Sequence, residues 1–588
     1  MATSPPAILG ATGWLWGSEL LRALYRQQLQ RSRVTPRKPR HELGSCSSRL
    51  SRCATGFVAR ALLALATPPT MRATRFAPRG RTTMSLRYLN MFAAALLVSA
   101  APLASARPAN PLDTSFTQAR ALLARSLAAH GGAERIGKLN AARLHYSGTI
   151  SSGMQGPTPE NVNQPTAEGG FDARWAMDFG KGRFRLQGTQ TSNGGFVFPF
   201  IANYSSGTLL TLFQPRLAYV KNPVADVDEG REQSAGLGTR SMPPILLKLA
   251  SQRLGTLRDE GPGTHDGKPV QRLGFNLDKN TRVTLLIDAE SARVVGLEQL
   301  LPDPLTGTDI ARWTYSGTQE VSGLIVPQSA TVQRRGHRFL DIQYRSVAFD
   351  ADAKLEDADF AVEADRAQID APTLDIAELK PGVWEVSNAG GGFYRVQFFE
   401  LAERVVAFDA PVSPAVSRAV IAKFREKVPT KPISHVVLSH HHNDHVSGVR
   451  AFAEAGATIV TTADATALVQ RFAAAQPRLT AVADTAPVEP KFVTVSGKLD
   501  LGDAKRPLTV LELIGSPHVQ RTLVLVDPSS KLAAGGDVYG DVGNFNAHYD
   551  WFAAWLAKRA DIDTFAGAHH AATPVKTILQ RQAEFQKK

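Results

Sequence analysis

One run of seven residues, Ser439-His440-His441-His442-Asn443-Asp444-His445, restricts what this chain can fold into more than any other stretch. It crowds four imidazoles and a carboxylate onto one turn. The apolar run Val436-Val437-Leu438 precedes it and Val446-Ser447-Gly448 follows. Histidine is the commonest transition-metal ligand, and a carboxylate adds a hard oxygen donor. A turn leaving a buried strand can aim such side chains at two neighbouring ions. Any fold for the chain must therefore end a strand at this loop and bring further donors to it.

An amphipathic helix is expected at about Ser413 to Lys427, a helix near Val446 to Glu454, and a strand at Thr458-Ile459-Val460-Thr461. Strand, helix and strand in this order predict a layered α/β domain. The two cysteines, Cys46 and Cys53, lie far from this region, so neither disulfides nor thiolates can serve it. Its metals must be held by histidine and carboxylate.

His440-x-His442-x-Asp444-His445 after a buried strand resembles the H-x-H-x-D-H signature of the metallo-β-lactamase fold hydrolases, with Ser439 where a threonine is usual. The resemblance runs in the same order over residues 376–588: its third histidine matches His518 after Leu511-Glu512-Leu513-Ile514, its bridging aspartate Asp537 after Leu532-Ala533-Ala534, its last histidine His569 or His570 after Phe565-Ala566, and its early aspartate Asp409 after Val405-Val406-Ala407-Phe408. It implies a C-terminal αββα sandwich, with His440, His442 and His518 on one ion. Asp444, His445 and His569 would hold the second, and Asp537 would bridge them. It also implies two zinc ions per chain and a metal-bridged hydroxide that attacks a carbonyl, with Asp444 accepting or relaying the proton. The third histidine usually sits in a Gly-His-Thr turn, whereas here the chain reads Ser516-Pro517-His518-Val519. His569 is preferred to His570 as the last ligand, because His570 takes the place of the usual following glycine. His441 falls on an x position and is expected to point away, and His435, at the start of the strand, reads as structural. Asp409 is expected to buttress the metal loop by hydrogen bonds. Of Tyr539, Asn544, Asn546 and His548, the last is the candidate substrate or oxyanion contact.

The rest of the chain reads differently. A length of 588 residues suggests about three or four domains. The formal charge of +14 invites a nucleic-acid reading, but residues 1–83 alone carry fourteen Lys/Arg against two acids. The remainder is close to neutral, so no basic groove crosses the main domains and no nucleic-acid partner is expected. Residues 1–83 show no sustained periodicity and read as a disordered or wrongly included basic extension. Residues 84–106 have the form of a signal peptide: Arg87 in a short n-region, an apolar run from Met91 to Ala101, and Ala104-Ser105-Ala106. A periplasmic or secreted location follows.

Residues 107–370 predict a β-rich domain with an N-terminal helix at about Ser115 to Leu139, broken at Gly131-Gly132. Short strands follow, among them Leu144 to Gly148, Phe184 to Gln187, Tyr219-Val220, Val283 to Asp288 and Arg293 to Leu297. Trp313 to Gly317 and Val321 to Pro327 resemble the last hairpins of periplasmic lipoprotein-carrier half-barrels, so an antiparallel sheet or half-barrel is expected. That resemblance implies contact with lipid or a membrane surface. The acidic segment 351–375 is expected to mark the boundary.

The reading of the whole is an α+β multidomain hydrolase with zinc and a small-molecule substrate bearing an ester, lactone or lactam carbonyl. The alternatives are a carrier of apolar ligands with a subordinate hydrolase domain, and an iron-dependent oxygenase on the same fold. Processing at the signal sequence predicts a mature protein beginning at Arg107. N-terminal sequencing of the natural protein checks it, and a chain starting near Met1 refutes it.

Overall fold

The computed structural model describes residues 110–151, 153–162, 168–191, 197–213, 218–475, 488–540 and 545–587. The expectations for residues 1–83 and 84–106, and for Asn544, fall outside them. Pro111–Lys588 lie within one compact unit.

The first half is built on a fourteen-stranded sheet. Its neighbours pair antiparallel, except at one edge, where Gln368–Asp370 runs parallel to Tyr219–Pro223. Period-two alternation in Ala141–Ser151 sends Ala142, Leu144 and Tyr146 to one face. That face packs Trp175, Met177, Leu285 and Trp313 against helices Pro111–Ala129, Ala133–Lys138, Val227–Ser241 and Pro243–Gln252. Three sheet tyrosines reach the end of helix Val227–Ser241. Tyr146 donates to the Gly238 carbonyl at 3.4 Å, Tyr344 to that of Ser241 at 3.1 Å, and Tyr315 to that of Arg240. They satisfy carbonyls that a helix end leaves unpaired.

Helices Val227–Ser241 and Pro243–Gln252 interrupt the run of short strands expected over this stretch. Helix Val227–Ser241 buries Glu229, Arg231, Glu232 and Arg240, a composition that reads as surface. Glu232 pairs with Arg231 at 3.0 Å and with Arg240 at 2.8 Å, which makes burial tolerable. Leu324–Val326 pairs with Gln319–Val321 as a separate two-stranded sheet rather than in the large one. The acidic stretch also does more than connect, because Gln368–Asp370 returns to the edge of the large sheet.

The C-terminal half is an αββα sandwich. One sheet has seven strands in chain order from Asp375–Lys380 to Lys491–Val495, and its strands from Val405–Phe408 onward run parallel. The other has six, from Lys498–Asp500 to Thr573–Pro574, with Leu532–Gly535 parallel to Thr564–Gly567. Between them Phe399, Phe408, Val437 and Val460 meet Val510, Leu523, Leu525 and Ala566. Helices Pro414–Arg425, Val449–Glu454 and Thr466–Ala474 cover the first sheet. Helices Ala547–Leu556 and Val575–Phe585 cover the second.

Local sequence explains the helix that precedes the metal loop. Ser413 caps Pro414–Arg425 by accepting from the Val416 N–H at 3.3 Å, a contribution of about 1 kcal/mol. Val416, Val420 and Phe424 then recur every four residues on the buried face. The helix expected from Val446 begins only at Val449, because Gly448 spends its N–H on the Ala410 carbonyl at 2.9 Å.

Phe398 is fully buried and stacks on Phe424 with ring centroids 4.1 Å apart, joining the first sheet to this helix. Phe398→Ala is expected to destabilise the sandwich by about 3–5 kcal/mol, read as a lowered denaturation midpoint.

Candidate metal centre

Donor residues gather at strand ends along one edge of the sandwich. Val405–Phe408 ends at Asp409, and its parallel neighbour Ile433–Val437 ends at the histidine loop. In the second sheet Leu532–Gly535 leads to Asp537, and its parallel neighbour Thr564–Gly567 leads to His569. His518 lies between Thr509–Ile514 and Arg521–Asp527. Parallel strands end on the same side, so residues far apart in sequence converge there.

Two donor sets result among the described residues. His440, His442 and His518 form one, and Asp444, His445, Asp537 and His569 the other, with donor atoms within 4.8 Å of one another in each. Asp537 faces both. Its Oδ1 lies 3.1 Å from His445 Nε2 and 3.0 Å from His569 Nε2, and its Oδ2 lies 3.3 Å from His518 Nε2. His440 Nε2 and His518 Nε2 are 3.3 Å apart. Donors at about 2.0–2.1 Å from one tetrahedral zinc would stand about 3.3 Å from each other. These residues fit the metal that their chemistry implies.

The outward nitrogens of four rings are engaged, and this fixes which nitrogen faces inward. His440 Nδ1–H donates to Ser439 Oγ at 3.0 Å, and that hydroxyl donates to Asp409 Oδ2 at 3.0 Å. His445 Nδ1–H donates to Asp409 Oδ2 at 2.8 Å. His569 Nδ1–H donates to the Phe393 carbonyl at 3.0 Å. His442 uses the opposite atom: Nε2–H donates to the Gly156 carbonyl at 3.0 Å, leaving Nδ1 for the centre. Such outer bonds orient ligating rings and raise their basicity.

Electrostatics separate the two sets. Burial, with His445 and His442 nearby, pushes His440 well below the usual imidazole range. Burial and His518 do the same to His442. Both rings are thus neutral, as ligands must be. Burial also opposes charge on His445, yet Asp537, Asp444 and Asp409 hold its proton affinity well above the usual range. This half of the site calls for a positive charge.

Asp409 sits at φ 68, a left-handed conformation that aspartate tolerates better than most residues. Besides its Oδ2 contacts, its Oδ1 accepts from the Ser439 N–H at 2.7 Å. Gly536 lets the Asp537 strand pass close by, since a Cβ there would lie 2.3 Å from Ser439 Oγ.

The other candidates divide. His569 joins the cluster, whereas His570 packs on Tyr539 and Phe565. His441 stays outside and donates Nε2–H to the Gly156 carbonyl at 2.7 Å. His435 stays in its strand, with Nδ1 3.0 Å from Ser434 Oγ. Ser516 accepts from the His518 N–H at 3.2 Å, so the altered turn still delivers His518. Asn546 caps helix Ala547–Leu556, and Tyr539 accepts from Arg581 at 2.6 Å. His548 packs against His518, with centroids 5.5 Å apart, and donates Nε2–H to the Asp537 carbonyl. Burial lowers its pKa to about 4, so it is neutral and its Nδ1 can only accept. The expected oxyanion contact does not fit that tautomer.

Sequence reasoning missed Tyr394, Gln155 and Gly156. Tyr394 donates to Asp444 Oδ2 at 3.4 Å, and its ring lies 4.7 Å from that of His569. It opens strand Tyr394–Glu400, and no local pattern in the sequence marks it as part of the site. Gln155 Nε2 donates to Asp444 Oδ1 at 2.8 Å and to Asn443 Oδ1 at 2.7 Å. Gln155 and Gly156 come from the other half of the chain, and no local pattern marks them.

An αββα sandwich with histidine and aspartate donors at its strand ends is the metallo-β-lactamase hydrolase fold. Residues 408–542 match the family model of the metallo-beta-lactamase superfamily. No curated protein matches the chain significantly. Among solved structures, a metallo-beta-lactamase from Pontibacter korlensis is 16% identical, with a TM-score of 0.30, covering 37% of this chain and 100% of its own. The mono-zinc form of metallo-beta-lactamase FIM-1 from Pseudomonas aeruginosa is 16% identical, with a TM-score of 0.28, covering 37% of this chain and 97% of its own. A stereoselective inverting sec-alkylsulfatase from Pseudomonas sp. is 16% identical, with a TM-score of 0.28, covering 36% of this chain and 40% of its own.

Asp409→Ala removes the acceptor of His445 and Ser439 without removing a donor from either set. It is expected to weaken metal affinity by about 10–100-fold, measured by chelator competition.

Proposed function

We propose that this protein is a zinc-dependent hydrolase that adds water to the carbonyl carbon of an ester, lactone or lactam in a small molecule and breaks its acyl C–O or C–N bond, outside the cytoplasm. The observation that carries this reading is the set of rings turned inward by their outer hydrogen bonds, converging with Asp444 and Asp537. His440, His442 and His518 would hold one ion, and Asp444, His445 and His569 the other, with Asp537 shared. Ions bound there would supply Lewis acidity toward the carbonyl and lower the pKa of a water to about 7.

The polypeptide supplies the rest. Burial raises the proton affinity of the Asp444 carboxyl, but the His445 beside it lowers it further, and the group lies below its usual value. An ionised Asp444 can accept a proton and return it to the leaving group. Burial, Asp444 and Asp537 raise the Tyr394 phenol well above its usual range, so it stays protonated and can donate to Asp444. The body of the chain holds no cysteine, so no thiol nucleophile competes with water.

The carrier reading has less support. Helices Val227–Ser241 and Pro243–Gln252 pack on the sheet face that would cradle an apolar ligand. The full chain is expected to bind two zinc ions and to hydrolyse at least one compound of an ester, lactone and lactam panel. His442→Ala should lose at least about 100-fold of that activity. Metal analysis and the panel together check this. Iron instead of zinc would overturn the cofactor, and lipid co-purifying with metal-free protein would overturn the hydrolase.

A further inference from the structure

The connection between strands Ala141–Ser151 and Glu168–Asp178 of the large sheet reaches into the metal centre. Its described part, residues 153–162, is anchored in the other half of the chain. Met154 and Val162 are each 1% exposed and share a hydrophobic cluster with Tyr394, Leu438 and Val446. Leu305, at the tip of a second hairpin of the large sheet, joins the same cluster. The Met154 carbonyl accepts from the Asn443 N–H at 3.4 Å, and that of Pro157 from the Gln520 N–H at 3.0 Å. Between these anchors lie Gln155 and Gly156.

We infer that the large-sheet domain completes the catalytic centre, with Gln155 as the residue that positions Asp444. The inference rests on the hydrolase reading, in which Asp444 both binds metal and handles the proton. A carboxylate can only accept hydrogen bonds, so the Gln155 amide must turn its Nε2 toward Asp444. The contact is buried, with Gln155 8% exposed and Asp444 1% exposed. Asp444 is thereby held on both sides. Oδ1 receives Gln155, and Oδ2 faces His445 Nε2 at 3.3 Å and the Tyr394 hydroxyl at 3.4 Å. A carboxylate fixed at both oxygens cannot rotate out of line with the donor set.

Gly156 acts on the neighbouring ligand. Its carbonyl accepts from both His441 and His442, and the second bond sets the His442 ring so that Nδ1 faces inward. The segment can present that carbonyl only by folding tightly on itself. A Cβ on Gly156 would lie 2.7 Å from the Asn161 carbonyl oxygen and 3.0 Å from its carbon. Two ligands of the histidine loop are therefore oriented by residues some 285 positions away in sequence.

The test uses the full chain and the variants Gln155→Met and Gln155→Asn. The first keeps the side-chain length and removes the donor. The second keeps the amide but shortens its reach by one methylene, so it serves if the first does not fold. Stripped protein is titrated with zinc against a chelator, and with cobalt(II) while its visible absorption bands are followed. These bands report the ligand field directly, and a residue that merely packs would not move them. Both variants are expected to bind one of the two ions about 10–100-fold more weakly and to shift the cobalt bands, with wild-type melting in the loaded state. Gly156→Ala should weaken binding in the same direction. A wild-type chain that takes up neither metal overturns this inference and the hydrolase reading together. A wild type that binds two ions, with variants matching it in affinity and spectrum, overturns the positioning role alone.

Discussion

An imidazole has two nitrogens, and a metal site works only if the correct one of each ring faces inward. That requirement organises this structure. His440, His445 and His569 commit Nδ1 to outer acceptors, and His442 commits Nε2. The acceptors are unalike: a serine hydroxyl, a buried aspartate, and two backbone carbonyls from distant segments. Each must be held as firmly as the ring it serves, and much of the surrounding fold does that holding.

Residues 409–412 show what the holding costs. Asp409 and Val412 both have positive φ, at 68 and 65, and for a β-branched residue this is a strain of about 1–3 kcal/mol. Backbone bonds on either side offset it. Ala410 donates to the His445 carbonyl at 2.9 Å and Val412 to that of Asp444 at 3.0 Å. The strained corner and the histidine loop thus share hydrogen bonds, and neither keeps its shape without the other. The second sheet adds its own tie, from the Leu523 N–H to the Ser439 carbonyl at 2.6 Å.

The donors were legible in the sequence because they are chemically unusual and each follows an apolar strand. The resemblance of the loop to a family pattern, rather than spacing alone, pointed to His518, Asp537 and His569, and Ser439 keeps the hydroxyl of the usual threonine. Helix Val227–Ser241 was not legible, because its buried charges cancel in pairs that appear only when the chain is folded. Gln155 and Gly156 were hidden for another reason. Their importance lies in what they touch, and the partner is nearly 300 residues away. The tautomer of His548 was equally out of reach, since the Asp537 carbonyl sets it.

The contact between Gly156 and the histidine loop bears on how the centre comes into being. Early in synthesis the segment carrying Gly156 exists with nothing to orient, and the loop emerges long afterwards. His569 follows last, near the end of the chain. Closing a loop of this length adds little free energy over a shorter one, but it delays the pairing. The second donor set therefore closes only once the strand Thr564–Gly567 that leads to His569 is in place. A chain interrupted before Thr564–Gly567 could still assemble His440, His442 and His518, but it would lack His569 and leave the other donor set one ring short.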